Sequence, residues 1–93
     1  MNNTITPEQQ IQRTDTFIEA PIDGELVLMS IDNGKYYGMD SVASRIWGLL
    51  EQPTSLNSIV ATLVEEYDVS QAVCESETFA FIELLATEKA LII

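Results

Sequence analysis

The stretch that most limits what this chain can fold into is residues 23–50, DGELVLMSIDNGKYYGMDSVASRIWGLL. An almost unbroken aliphatic run over 25–31 meets Asp32-Asn33-Gly34, a strong hairpin signal, and returns as Lys35-Tyr36-Tyr37-Gly38-Met39. With Asn33 and Gly34 as a two-residue loop, Asp32 faces Lys35, Ile31 faces Tyr36, Ser30 faces Tyr37 and Met29 faces Gly38. Side chains alternate along a strand, so Tyr36 and Tyr37 point to opposite faces, one inward and one outward. The returning strand passes straight into a helical pattern. A strand placed this way offers an open sheet edge, and an open edge can take up an extended peptide without any catalytic residue.

Three helices are expected after the hairpin. Asp40 or Ser41 caps the first, in which Val42, Ile46, Leu49 and Leu50 recur at helical spacing with Ala43 and Trp47 beside them, until Gln52-Pro53 ends it. Ser55 caps the second, whose stripe is Leu56, Ile59, Val60, Leu63, Val64 and Tyr67, ending near Asp68. The third runs from about Ser70 to Lys89 with Cys74, Thr78, Phe81, Ile82 and Leu85 on one face. Phe79 and Ala86 flank that stripe on one side, and Val73, Ala80 and Leu84 on the other. This is more apolar surface than one contact needs, so part of it is free to meet a ligand or a second subunit.

Ahead of the hairpin, residues 16–22 (TFIEAPI) read as a short strand, with Pro21 suited to a sheet edge because it donates no ladder hydrogen bond. The polar, Pro7-containing segment before it reads as a frayed or weakly docked tail over 1–15, leaving 16–93 as the folded domain. Three strands followed by three helices make an α+β domain, a three-stranded antiparallel sheet stacked on a three-helix cluster. At 46% hydrophobic residues, a 93-residue chain can build one core without metal or disulfide.

Composition excludes more than it proposes. There is no histidine and one cysteine, so Cys74 has neither a disulfide partner nor a Cys/His metal cluster to join and reads as a small buried hydrophobe. Neither a nucleophile elbow nor a glycine-rich phosphate loop is present, so no enzyme and no cofactor are expected. Glu65, Glu66 and Asp68 read as a solvated surface. The start of the chain lacks a secretory pattern and no long apolar span follows, which reads as a cytoplasmic protein.

A net charge of −11, from 4 Lys and Arg against 15 Asp and Glu, repels phosphate. A winged-helix DNA-binding protein would need basic residues on its reading helix, and residues 56–67 contain none. A second rival is an acyl or peptidyl carrier protein: Gly38-Met39-Asp40-Ser41-Val42 is similar to the Asp-Ser motif at which such proteins take phosphopantetheine, which would place the arm on Ser41. A carrier fold would need a helix and long loop ahead of that serine, where this chain has its hairpin. Helix capping accounts for Asp40 and Ser41 equally well.

Gly24-Glu25-Leu26-Val27-Leu28, Asn33-Gly34-Lys35-Tyr36-Tyr37-Gly38-Met39 and Ala43-x-Arg45-Ile46-Trp47-x-Leu49-Leu50 together resemble the PqqD-like family of RiPP recognition elements. Ser55-Leu56 with Ile59 and Val60, Glu66-Tyr67-Asp68-Val69, Phe81-Ile82-x-x-Leu85 and Leu91-Ile92 extend the resemblance over about 16–93. It implies a winged-helix-like domain that binds the leader of a ribosomally synthesised precursor peptide. The leader would add as a strand beside the third strand and contact the third helix. Carried onto this chain, the site is Lys35, Tyr36, Tyr37, Gly38 and Met39 on the strand, and Cys74, Thr78, Phe79, Ile82 and Ala86 on the helix. The wording Asn-Gly-Lys-Tyr-Tyr-Gly is most similar to free-standing lasso-peptide pathway members, which implies a cysteine-protease-like leader peptidase and an ATP-dependent cyclase as partners. An open edge can also pair with a second copy, so a homodimer is a further expectation. Ala90 departs from the glycine common in relatives after the third helix, which implies a different C-terminal turn or a longer helix.

Overall fold

The computed structural model describes residues 5–23 and 25–92; residues 1–4 of the expected tail, Gly24 and Ile93 lie outside them. In chain order the elements are β1 (Gln12–Arg13), β2 (Phe17–Ile22), β3 (Glu25–Ser30), β4 (Tyr36–Met39), α1 (Ser41–Leu49), α2 (Leu56–Glu66), α3 (Gln71–Thr87) and β5 (Leu91–Ile92). The strands β2, β3 and β4 form an antiparallel sheet in that order, so β3 is central and β4 is an edge. The expected α+β arrangement of a three-stranded antiparallel sheet with three helices is observed, and a two-stranded ribbon of β1 and β5 is added to it.

The hairpin register differs from the expected one. Leu28 pairs with Tyr37 and Met29 with Tyr36, two residues away from the arrangement a two-residue turn would impose. The Ser30 N–H donates to the Lys35 carbonyl at 2.9 Å, so residues 31–34 form a four-residue loop. Local side chains hold this longer loop: Ser30 Oγ accepts from the Asn33 N–H at 3.3 Å, and Asn33 Oδ1 accepts from the Lys35 N–H at 2.8 Å. Gly34 takes the left-handed conformation at φ 73°, which glycine adopts at no steric cost. A shift of two leaves every side chain on its own face. Tyr36 therefore points outward and Tyr37 inward, as the alternation requires.

All three helices start at a capping side chain. Asp40 Oδ1 accepts from the Ala43 N–H at 2.8 Å, and Ser55 and Ser70 accept from the N–H groups of Ser58 and Val73. Trp47 fills the space between α1 and the sheet, with its ring 6.1 Å from that of Phe17. Its indole N–H donates to Glu19 at 3.0 Å. Arg13 pairs with the same carboxylate at 3.2 Å, donates to the Trp47 carbonyl at 3.1 Å and lies over the indole at 5.1 Å. These contacts tie the exposed Glu19 carboxylate of β2 to α1 through two donors. Between α1 and α2, Arg45 grips Glu66 with two nitrogens at 2.8 and 2.7 Å, which holds the Glu66 carboxyl below its ordinary pKa.

Two expectations need correction. The segment read as a weakly attached tail is docked from Ile5 onward: Ile5 and Ile11 are buried in the core, Ile11 and Thr54 exchange backbone hydrogen bonds, and β1 pairs with β5. Two buried isoleucines outweigh the polar composition around them. The third helix, for its part, ends at Thr87 and is not lengthened by the missing glycine. Lys89 takes the left-handed position at φ 62°, its N–H bonding Ala86 at 3.0 Å, while the Ala90 N–H bonds Leu85 at 2.8 Å. This is a Schellman turn with Ala90 buried against Leu85. A left-handed lysine carries a steric cost of about 1 kcal/mol. Lys89→Gly is expected to relieve it and raise the thermal midpoint by about 4–8 °C, read by circular dichroism.

Candidate functional site

The antiparallel ladder decides which backbone groups of β4 are free. The Lys35 carbonyl accepts from the Ser30 N–H, so by alternation Tyr37 and Met39 occupy the hydrogen-bonded positions opposite Leu28 and Leu26 and turn their N–H and C=O groups toward β3. Those of Tyr36 and Gly38 turn to the open side. Nothing in the fold demands glycine at position 38, where an added methyl group would meet no atom within 4 Å. The edge is thus both unpaired and unobstructed.

Two contacts relate α3 to this strand, one near each end of the helix, and their order along the chain makes the two elements antiparallel. Near its C-terminus, the Tyr37 hydroxyl donates to Glu88 Oε1 at 2.5 Å, a bond that raises the phenol pKa above its usual value, with burial adding to the effect. Near its N-terminus, Val73, Cys74, Glu77, Thr78 and Phe81 line a cavity of about 350 Å³ whose other wall includes Asp40, Val42 and Ala43 at the start of α1. Helical spacing places Val73, Glu77, Phe81, Leu84 and Glu88 in one stripe along α3. Val73 and Leu84 in that stripe are 52% and 48% exposed, and Val42 and Val69 at the cavity end are 36% and 44% exposed. Val42, Val69 and Val73 line the cavity itself, and exposed aliphatic side chains beside the end of an open edge strand suit a peptide-binding groove.

The expected site residues are divided by this geometry. On β4, Lys35, Tyr36 and Gly38 are exposed, with Tyr36 at 69% on the outer sheet face, while Tyr37 is half-buried toward α3 and Met39 is a core residue. On α3, Cys74 and Thr78 are buried but contribute to the cavity wall. Ile82 is fully buried in the core, and Ala86 packs half-buried against it. Phe79 turns the other way, into a separate depression shared with Pro7, Leu56 and Asn57. The α3 residues that reach the cavity beside Asp40 include Val73 and Phe81, whereas Phe79 lies on the other flank. The docked N-terminal segment meets that other flank: Pro7 accepts a hydrogen bond from the Asn57 N–H at 3.1 Å and lines the same depression as Phe79.

Ser41 is the first residue of α1, and the chain leading to it is strand β4, not the helix and loop of a carrier fold. Among the described residues no helix is long and apolar enough to cross a membrane.

Comparison with known proteins agrees with this architecture. Among solved structures, "TbiB1 in Complex with the TbiA(beta) Leader Peptide" is 36% identical with a TM-score of 0.75, the match covering 86% of this chain and 93% of that one. "Lasso peptide synthetase B1 complexed with the leader peptide" is 20% identical at a TM-score of 0.76, covering 89% and 98%. The PqqD truncation of Methylobacterium extorquens PqqCD, described as a stand-alone RiPP recognition element, is 17% identical at a TM-score of 0.79 over 100% of both chains. These last two matches speak to the fold. None of the curated proteins is similar enough to count as a relative. The sequence profile of the family described as Coenzyme PQQ synthesis protein D (PqqD) matches residues 25–91. With a family match over most of its length and a solved relative at 36% identity, this chain belongs to the PqqD family.

Proposed function

We propose that this protein is a non-enzymatic adaptor that binds the leader of a ribosomally synthesised precursor peptide and hands it to the enzymes that process it. The leader adds as a strand to β4, pairing with the outward backbone groups of Tyr36 and Gly38, and lays alternate side chains against the α3 stripe. Backbone pairing supplies sequence-independent affinity, while the cavity beside Val73 and Phe81 supplies selectivity. The observation that carries this reading is the unpaired β4 edge, which ends at Asp40 beside an apolar cavity walled by Val73 and Phe81 of α3. The relative whose structure holds the TbiA(beta) leader peptide supports it, and the Asn33-Gly34-Lys35-Tyr36-Tyr37-Gly38 wording favours a lasso-peptide pathway. In such a pathway the receiving enzymes are a cysteine-protease-like leader peptidase and an ATP-dependent cyclase.

Titration calorimetry with the precursor encoded beside this gene tests the proposal. The leader half alone is expected to bind as tightly as the whole precursor, and the core half not at all. Binding carried by the core half would overturn it.

A further inference from the structure

We infer that the groove selects a leader segment carrying Lys or Arg next to the apolar side chain that fills its cavity; the inference rests on the peptide-binding reading above. The cavity wall is mainly aliphatic and aromatic, with Val42, Ile46, Leu63, Val73 and Phe81 among its members. Its charged members are Asp40, from the start of α1, and Glu77, from α3; both are acidic and both exposed. Asp40 accepts the capping hydrogen bond of Ala43 through Oδ1, and among the described residues neither carboxylate enters an ion pair. Two of the chain's 4 basic residues, Arg13 and Arg45, are already paired elsewhere.

An apolar side chain seated in the cavity therefore brings its neighbours against two like charges on a chain of net charge −11. A neighbouring Asp or Glu is repelled. Lys or Arg can lay its aliphatic stem along Val73 and present its charge to Glu77 or Asp40, which stand on opposite sides of the opening. Glu77 is the charged position between Val73 and Phe81 in the helical stripe, so it meets the peptide in the same turn as the apolar anchors. Discrimination then comes from both an attractive and a repulsive element.

Selection of a phage-displayed library of random peptides against the full chain, and against the double variant Asp40→Asn with Glu77→Gln, tests this. Asparagine caps a helix as well as aspartate, so α1 is retained. Peptides selected on the parent are expected to be enriched in Lys or Arg near an apolar residue, and this enrichment to vanish with the double variant. One such peptide is expected to bind the double variant about five-fold more weakly at low salt, with the difference shrinking as salt rises. Its Lys→Gln counterpart should bind both proteins alike. Selected peptides that shift the Tyr36 and Gly38 amides without any enrichment in Lys or Arg overturn the selectivity and leave the peptide-binding reading standing. Peptides that leave those amides unmoved overturn both.

Discussion

Gly38→Pro is expected to weaken leader binding by about 10- to 100-fold while leaving the thermal midpoint within a few degrees of the parent. The argument is geometric. Position 38 occupies a ladder site whose N–H turns away from β3, so proline removes a donor that the fold does not use. The Cβ of the added ring meets open space, because nothing lies within 4 Å of that position. An incoming strand, by contrast, loses its partner at the centre of the edge and is left with an unsatisfied carbonyl. Calorimetry for binding and circular dichroism for stability separate the two consequences. A large fall in stability would show that Gly38 serves the fold, and unchanged affinity would show that the peptide does not use this edge.

Trp47→Ala is the substitution expected to damage the fold itself most. The indole is 2% exposed, and its removal leaves a cavity between α1 and the sheet, which for a large aromatic costs about 3–5 kcal/mol. The substitution also takes away the donor to Glu19 and the ring beneath Arg13, so the carboxylate that ties β2 to α1 loses one of its two partners. A small domain has about 5–15 kcal/mol of stability in all, so the expected fall in thermal midpoint is about 15–30 °C. Peptide binding should persist at low temperature in whatever fraction remains folded, since Trp47 lies behind the sheet and not in the groove. A fall of under about 5 °C would contradict the packing described.

Much of this architecture is legible in the sequence because local chemistry and tertiary packing agree there. Ser55 and Ser70 cap the helices they were expected to start, and Asp40 is the one of two candidates that does so at α1. The opposite faces of Tyr36 and Tyr37 follow from strand alternation alone and survive the two-residue change in register. That change was itself hidden because Asn33-Gly34 suits two turn lengths, and Ser30 Oγ, which stabilises the longer one, reads in sequence as an ordinary strand residue. Asp23, at φ 54° between paired Ile22 and Glu25, marks a second tight turn that the hairpin-centred reading passes over.

The open edge of β4 was legible in the sequence, but the open flank of α3 was not. The α3 sequence is apolar on both flanks of its core stripe, so periodicity cannot say which flank stays open. What sets the flanks apart is a long-range event, the docking of Ile5, Pro7 and Ile11, in a segment whose Asn, Gln and Thr content suggests a loose tail. That segment lies beside Phe79, while Val73 and Phe81 reach the cavity that Asp40 also lines. The lone apolar residues in a polar stretch, Ile5 and Ile11, were the available signal.

The central claim is that a leader peptide becomes the next strand beside β4, and backbone amide hydrogen exchange in the leader complex tests it most directly. Saturating the protein with the leader half of its precursor is expected to slow exchange at the outward amides of Tyr36 and Gly38 strongly. The inward amides of Tyr37 and Met39, already bonded to β3, should change little. Protection confined to other elements, with Tyr36 and Gly38 exchanging as they do in the free protein, would contradict the account.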